Sequence, residues 1–298
     1  MNLRITGAWQ QAKKYIPQIS EKHDVIFLQH EKEELPCDPA WVEGIICNGF
    51  FLSHPIEVFC NLKYIQLTSA GYDRVPMNYV REHGIVINNA RGVYSIPMAE
   101  MAVTGVLQLC KKMGELNRSQ KNHQWEKQRN LQELAGKTVA IIGCGSVGTA
   151  CAKRFKAFDT CVVGIDLFTR KDDNFDSMEE LRNLDTVLAY SDVVVITVPL
   201  TEETKWLMNA ERFVHMKGTA VLVNIARGAI VETTALVNWV NNGGMAFLDV
   251  FEEEPLSEDS PLWDLKNVII TPHNSFISEG NDKRLKDVIM KNLLEYSG

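Results

Sequence analysis

The chain has 298 residues, 45% of them hydrophobic, which is more than one average domain needs and enough for two cores. Its formal charge of −7 arises from acidic and basic residues mixed along the whole length, so no basic stripe is offered to a phosphate backbone and no nucleic acid partner is expected. No apolar run is long enough to span a bilayer, the opening residues lack an apolar h-region, and the seven cysteines are scattered and odd in number; the expectation is a cytoplasmic protein with reduced thiols, no membrane partner and no structural metal.

Short β-type runs at Leu3–Ile5, Val25–Leu28, Gly44–Cys47, Tyr64–Leu67 and Ile85–Ile87 alternate with segments that suit helices, the pattern of a parallel, doubly wound sheet. Pro97 then opens a long amphipathic stretch through Ser119, predicted as one helix joining two lobes. A second series follows: TVAIIG, CVVGID, SDVVVITVP, TAVLVNIA, MAFLDV and NVIITP, each a buried-strand pattern separated from the next by a helix-length segment. The last stretch, Ile277 to Tyr296, reads as a helix that crosses back onto the first lobe. These patterns predict an α/β protein with residues 1–96 plus 276–298 as a substrate domain and 97–275 as a dinucleotide-binding domain.

Gly143, Gly145 and Gly148 stand in GxGxxG spacing directly after an apolar strand and before a helical pattern. In that context the first glycine permits a tight turn, the second lets backbone approach a pyrophosphate, and the third lets helix and strand pack closely. The amides of Ser146 and Val147 then face phosphate at the positive end of a helix. Asp166 closes the next strand, eighteen residues beyond Gly148, where a carboxylate accepts from both ribose hydroxyls. This predicts NAD in preference to NADP, with Arg170 and Lys171 close enough to soften the preference.

VNIARGAIVE, FLDVFEEEPL and NVIITPHNS each set charged or titratable groups just past the C-terminal end of a predicted strand, the edge at which open α/β sheets bind ligands. From about Leu62 to His273 the chain closely resembles the D-isomer-specific 2-hydroxyacid dehydrogenase family, carrying LKYIQLTSAGYD, HGIVINNARGVYSIPMAE, the glycine loop, SDVVVITVPLTEET, VNIARG, LDVFEEEPL and ITPH in the family's order. The resemblance implies two doubly wound parallel-sheet domains, Rossmann-like and flavodoxin-like, with an active-site cleft between them. It also implies hydride transfer between NAD(H) and a small 2-keto or D-2-hydroxy acid. Arg227 then binds the substrate carboxylate and carbonyl through its planar fork. His273 is the general acid for reduction and the base for oxidation, and Glu254 holds its tautomer and favours its charged form.

On the same resemblance the backbone amides of Ala70 and Gly71 complete the carboxylate site, with Tyr94 assigned to the substrate as well. Val198, Pro199, Thr204 and Ile225 line the cofactor groove, with Asp249 near the nicotinamide amide. The long helix and the segment around Trp125 resemble the family's dimerisation arm and imply a homodimer. Two departures are expected to matter: Asn274, Ser275 and Phe276 follow the histidine in place of small or aliphatic residues, and Phe50 and Phe51 stand where the phosphoglycerate branch carries basic residues. Phe50 and Phe51 therefore predict an unphosphorylated, aliphatic substrate. The alternative from another class, an NADH-sensing corepressor of the same fold, is ranked below the enzyme because the chain lacks the disordered extensions such proteins use for partners.

Overall fold

In the computed structural model, which describes residues 1–297, the apolar runs become strands because each is covered on both faces. The elements in chain order are β1 (Asn2–Thr6), α1 (Ala12–Ile19), β2 (Asp24–Leu28), β3 (Gly44–Cys47), β4 (Tyr64–Leu67), α2 (Met77–Glu82), β5 (Val86–Asn88), α3 (Ser95–Cys110), α4 (Met113–Lys121), β6 (Thr138–Ile142) and α5 (Ser146–Lys156). They continue with β7 (Cys161–Asp166), β8 (Ser177–Glu180), α6 (Leu184–Tyr190), β9 (Val193–Ile196), α7 (Ala210–His215), β10 (Val221–Asn224), α8 (Thr233–Asn241), β11 (Met245–Leu248), β12 (Val268–Ile270) and α9 (Asn281–Ser297). Contacts divide the chain into two compact units: Met1–Tyr94 with the segment from Ser278 onward, and Ser95–Ile277.

The first unit holds a sheet in the order β2-β1-β3-β4-β5, all parallel, the flavodoxin-like winding. One face is covered by a cluster containing Val42, Ile45, Phe50, Phe59 and Leu67, the other by Leu3, Ile5, Trp9, Tyr64 and the C-terminal helix α9. Leu285, Ile289 and Leu293 of α9 are all buried there. Their transfer from water contributes roughly 5–9 kcal/mol of gross stabilisation before chain entropy is charged against it.

The second unit holds a parallel sheet in the order β12-β11-β10-β9-β6-β7-β8. Sequential strands β6, β7 and β8 run one way from the centre and β9 to β12 the other, so the order reverses between β6 and β9. That reversal opens a crevice at the strands' carboxyl ends, the general ligand position in such sheets. Two expectations need correction here. The single long helix is two, α3 and α4, because Lys112 takes a left-handed conformation (φ 51°) and breaks the hydrogen-bond ladder. An edge strand, β8, is present where no strand was expected; its sequence SMEE carries no apolar alternation because only one side of it is paired.

Candidate active site

The glycine loop joins β6 to α5. Gly143 has φ +95° and its amide donates to the Ile165 carbonyl at 2.7 Å, which turns the chain off the sheet. A Cβ on Gly148 would lie 2.0 Å from the Gly143 carbonyl oxygen, so only glycine lets α5 start this close to the strand. Around Gly145, by contrast, a Cβ would meet nothing within 4 Å. That open space lies at the N-terminus of an eleven-residue helix whose first turn has no side-chain cap, leaving the amides of Ser146 and Val147 without an intrahelical acceptor. Such a cradle suits a diphosphate.

At the end of β7, Asp166 accepts from the amide of Cys144 through Oδ2 at 2.9 Å and from the amide of Leu167 through Oδ1 at 2.8 Å. The carboxylate is thereby fixed beside the glycine loop. Arg170 donates to the Cys144 carbonyl and brings Nη1 to 3.9 Å from Asp166 Oδ2, so a cation stands next to the acidic group in the same pocket edge. Val198 packs against Gly143, and Ile225 is buried after β10. Thr204 spends its hydroxyl inside its own turn, accepting from the Thr201 amide and donating to the Pro199 carbonyl, both at 2.7 Å. Pro199 and Thr204 thus shape the loop after β9.

Three loops past the strand ends carry the titratable groups. After β10, Asn224 is buried and clamps the turn from both sides: its Oδ1 accepts from the Ala226 amide at 3.1 Å, and its Nδ2 donates to the Arg227 carbonyl at 3.0 Å. Arg227 itself is half-buried and donates from Nη1 to the Ala226 carbonyl at 2.8 Å. Gly228 follows, and its Cα lies so close to the next loop that a Cβ would sit 1.8 Å from the Phe251 carbonyl carbon. After β11, Glu254 folds back, accepting from the Phe251 amide through Oε1 at 3.1 Å. Its Oε2 meets His273 Nδ1 at 2.8 Å.

Glu252 is occupied elsewhere: it accepts from the Trp206 indole at 2.6 Å and the Thr233 amide at 2.9 Å. Burial alone would raise the Glu252 carboxyl, but hydrogen bonds from the Thr233 hydroxyl, the Trp206 indole and the Thr233 amide, with the nearby Lys205 charge, outweigh it and hold it below the usual value. Glu254 is therefore the acidic residue on the histidine. With Nδ1 directed at a carboxylate, the imidazole presents Nε2 for proton exchange, and the ring is about one-third exposed. Phe276 sets its edge against the His273 ring at 5.8 Å, so the aromatic departure noted in the sequence packs on the histidine itself.

The residue that sequence reasoning undervalued is Asp249. It is fully buried, and its carboxylate accepts from Thr271 Oγ1 at 2.5 Å, the Asn274 amide at 2.7 Å and the Ser275 amide at 3.0 Å. Its carbonyl also accepts from the His273 amide at 2.8 Å. Asp249 thus holds the whole segment that carries His273, whose own backbone is left-handed at φ 50°. Only the placement of aspartate at the end of an apolar strand hinted at this.

In the first unit, the TSAG segment follows β4. Asn89 donates to the Ala70 carbonyl at 2.6 Å and Ser69 to the Gly71 carbonyl at 3.2 Å, while the amides of Ala70 and Gly71 have no acceptor among the described residues. Tyr94 donates its hydroxyl to the Thr68 carbonyl, and burial pushes that phenol up to about 12. Phe50 is wholly buried and stacks on His54 at 4.4 Å, whereas Phe51, edge-on to it at 5.6 Å, is half-buried.

Residues 103–275 match the family described as D-isomer specific 2-hydroxyacid dehydrogenase, NAD binding domain. The chain belongs to this family. It is similar to a glyoxylate reductase of Thermofilum pendens, 37% identical over 78% of this chain and 71% of the relative. It is also similar to a D-3-phosphoglycerate dehydrogenase of Archaeoglobus fulgidus, 40% identical over 73% of this chain but only 42% of that longer protein. Among solved structures, a D-isomer specific 2-hydroxyacid dehydrogenase from Xanthobacter autotrophicus in complex with NADPH and MES superposes with a TM-score of 0.81 at 28% identity, covering 99% of this chain and 95% of that one. The family membership makes the chain a 2-hydroxyacid oxidoreductase with a nicotinamide cofactor. No helix among the described residues is long and apolar enough to cross a membrane.

Proposed function

We propose that the protein is an NADH-dependent reductase of small, unphosphorylated 2-keto acids, giving the D-2-hydroxy acid. The observation that carries this reading is the 2.8 Å contact between Glu254 and His273, held by Asp249 at the ligand-binding edge of a sheet that also presents the glycine loop. Bound nicotinamide would supply the hydride for the C2 carbon in reduction and take it back in oxidation. His273 Nε2 delivers the proton to the C2 oxygen, and Glu254 keeps the ring in the tautomer that can do so. Arg227 binds the substrate carboxylate with its fork, and the amides of Ala70 and Gly71, which have no acceptor among the described residues, suit a carboxylate as well. Val198, Pro199, Thr204 and Ile225 are assigned to the cofactor groove.

The preference for NADH rests on Asp166, whose anchored carboxylate opposes a 2′-phosphate. Phe51, backed by the buried Phe50, supports an aliphatic substrate over a phosphorylated one. The cytoplasmic homodimer expected from the sequence is part of the same proposal, supported at the arm by Trp125, which is 98% exposed in the single chain. The test is a panel of glyoxylate, hydroxypyruvate, pyruvate and phosphohydroxypyruvate with NADH and with NADPH, read as kcat/KM. The three unphosphorylated acids should lead with NADH. A higher value for phosphohydroxypyruvate, or for NADPH, would overturn the corresponding half of the proposal.

A further inference from the structure

Arg4 occupies the middle of β1 with no accessible surface, paired in register to Ile26 and Ile45 of the flanking strands. A guanidinium keeps its charge in any protein environment, so a buried one needs an anion or a full set of acceptors. Neither is supplied by a carboxylate. Glu31, over the end of the same strand, spends its oxygens on Thr6 Oγ1 (2.9 Å) and the amides of Asn48 (2.6 Å) and Gly49 (2.7 Å). Nε and Nη1 of Arg4 have no acceptor among the described residues. The third nitrogen, Nη2, donates to the sulfur of Cys37 at 2.9 Å, as short as an ordinary N–H···O bond.

Cys37 is half-buried, in the connection after β2, so its sulfur is held by the buried cation while the residue keeps a path to solvent. An electropositive, partly accessible setting is what distinguishes a reactive cysteine from an inert one, because the cation stabilises negative charge developing on sulfur as it attacks. The other six cysteines lack the combination. Cys47, Cys110, Cys144 and Cys151 are buried, and burial raises all four thiols. Cys60 and Cys161 are exposed, and neither accepts a hydrogen bond from an arginine or lysine side chain among the described residues.

We propose that Cys37 is a modification site for peroxides, activated by Arg4. The sulfur attacks one peroxide oxygen, the S–O bond forms as the O–O bond breaks, and the proton that the thiol loses passes to the departing hydroxide, which leaves as water. The sulfur is oxidised by two electrons to the sulfenic acid and the peroxide is reduced by the same two. The sulfenic oxygen then provides Arg4 with a better acceptor than the thiol did.

The reduced, full-length protein is treated with limiting hydrogen peroxide in the presence of dimedone, and the adduct at each cysteine is quantified by mass spectrometry. Cys37 should carry at least tenfold more adduct than Cys60 or Cys161. Arg4→Met, which keeps the length and the apolar stem, should bring Cys37 down to their level while the four buried cysteines stay unlabelled. Equal labelling of Cys37, Cys60 and Cys161 in the unsubstituted protein would overturn the proposal, and so would an Arg4→Met protein that keeps both its buried cysteines protected and its Cys37 excess. If the variant exposes its buried cysteines, it has not folded, and the ranking in the unsubstituted protein decides.

Discussion

Replacing Gly228 by alanine tests whether the catalytic loops are set by backbone contact. The new Cβ would stand 1.8 Å from the Phe251 carbonyl carbon, 1.9 Å from its oxygen and 2.4 Å from the Glu252 nitrogen, whereas ordinary contact begins at 3.4 Å. The two loops must therefore separate by about 1.6 Å, the difference 3.4 − 1.8, and no flexible side chain is there to yield instead. Phe251 carries the amide that anchors Glu254, and Glu254 carries His273, so the shift passes to the proton donor while Arg227 moves with Gly228. A misplacement of about 1 Å at reacting groups costs on the order of 10²-fold in rate, or about 2.7 kcal/mol of barrier.

The expected outcome is a kcat for glyoxylate reduction lower by about two orders of magnitude, with NADH affinity by fluorescence changed little because the glycine loop stands on other strands. Gly114→Ala is the control: it lies in α4, meets nothing within 4 Å, and should leave kcat unchanged. A Gly228→Ala enzyme within threefold of the parent kcat, at an unchanged Tm, would refute the reasoning.

Replacing His273 by alanine should remove most of the rate while NADH still binds, checked by single-turnover kinetics beside fluorescence titration; full activity would remove the histidine from the mechanism. Asp249→Asn leaves a single amide oxygen for the three donors and turns an NH2 group toward at least one of them, so a loss of roughly 1.5–3 kcal/mol per charge-assisted bond is expected. Calorimetry should show a Tm lower by several degrees, and an unchanged Tm would mean the cradle contributes nothing. Burial pushes the Cys144 and Cys151 thiols up to about 12, against 9.0 in the unfolded chain, so the folded state holds protons that the unfolded state releases. Their stabilisation is complete below pH 9 and is lost as pH rises toward 12, about 1.4 kcal/mol per thiol by pH 10. Urea midpoints at pH 8, 9 and 10 should fall accordingly, and the fall should shrink in Cys144→Ala and Cys151→Ala.

Central strands were legible because burial on both faces demands unbroken apolar runs, as in VVVI of β9. β8 was not, since an edge strand of SMEE owes its pairing to β7 rather than to its own side chains. Nor was the break between α3 and α4, because lysine at φ 51° leaves no mark in composition. At the site, the spacing of Arg227, Glu254 and His273 was readable as a family pattern, yet the work of Asp249 was hidden: its partners are mostly backbone amides 25 and 26 residues away, which any residue but proline would supply. Phe50 and Phe51 read alike in sequence, and only the short 3-10 turn that holds them decides which ring is swallowed by the core.

The first unit is stitched from two segments that flank the second unit in sequence, and this orders events during synthesis. All seven strands of the second sheet leave the ribosome before the first residue of α9, so the second unit has its complete complement of strands while the first still lacks a wall. Until Leu285, Ile289 and Leu293 arrive, the face formed by Leu3, Ile5 and Tyr64 stays open to water and to chaperones. A chain halted after Ile277 should therefore be trimmed by protease within residues 1–90 while residues 95–277 resist, which makes α9 the latch on the first unit.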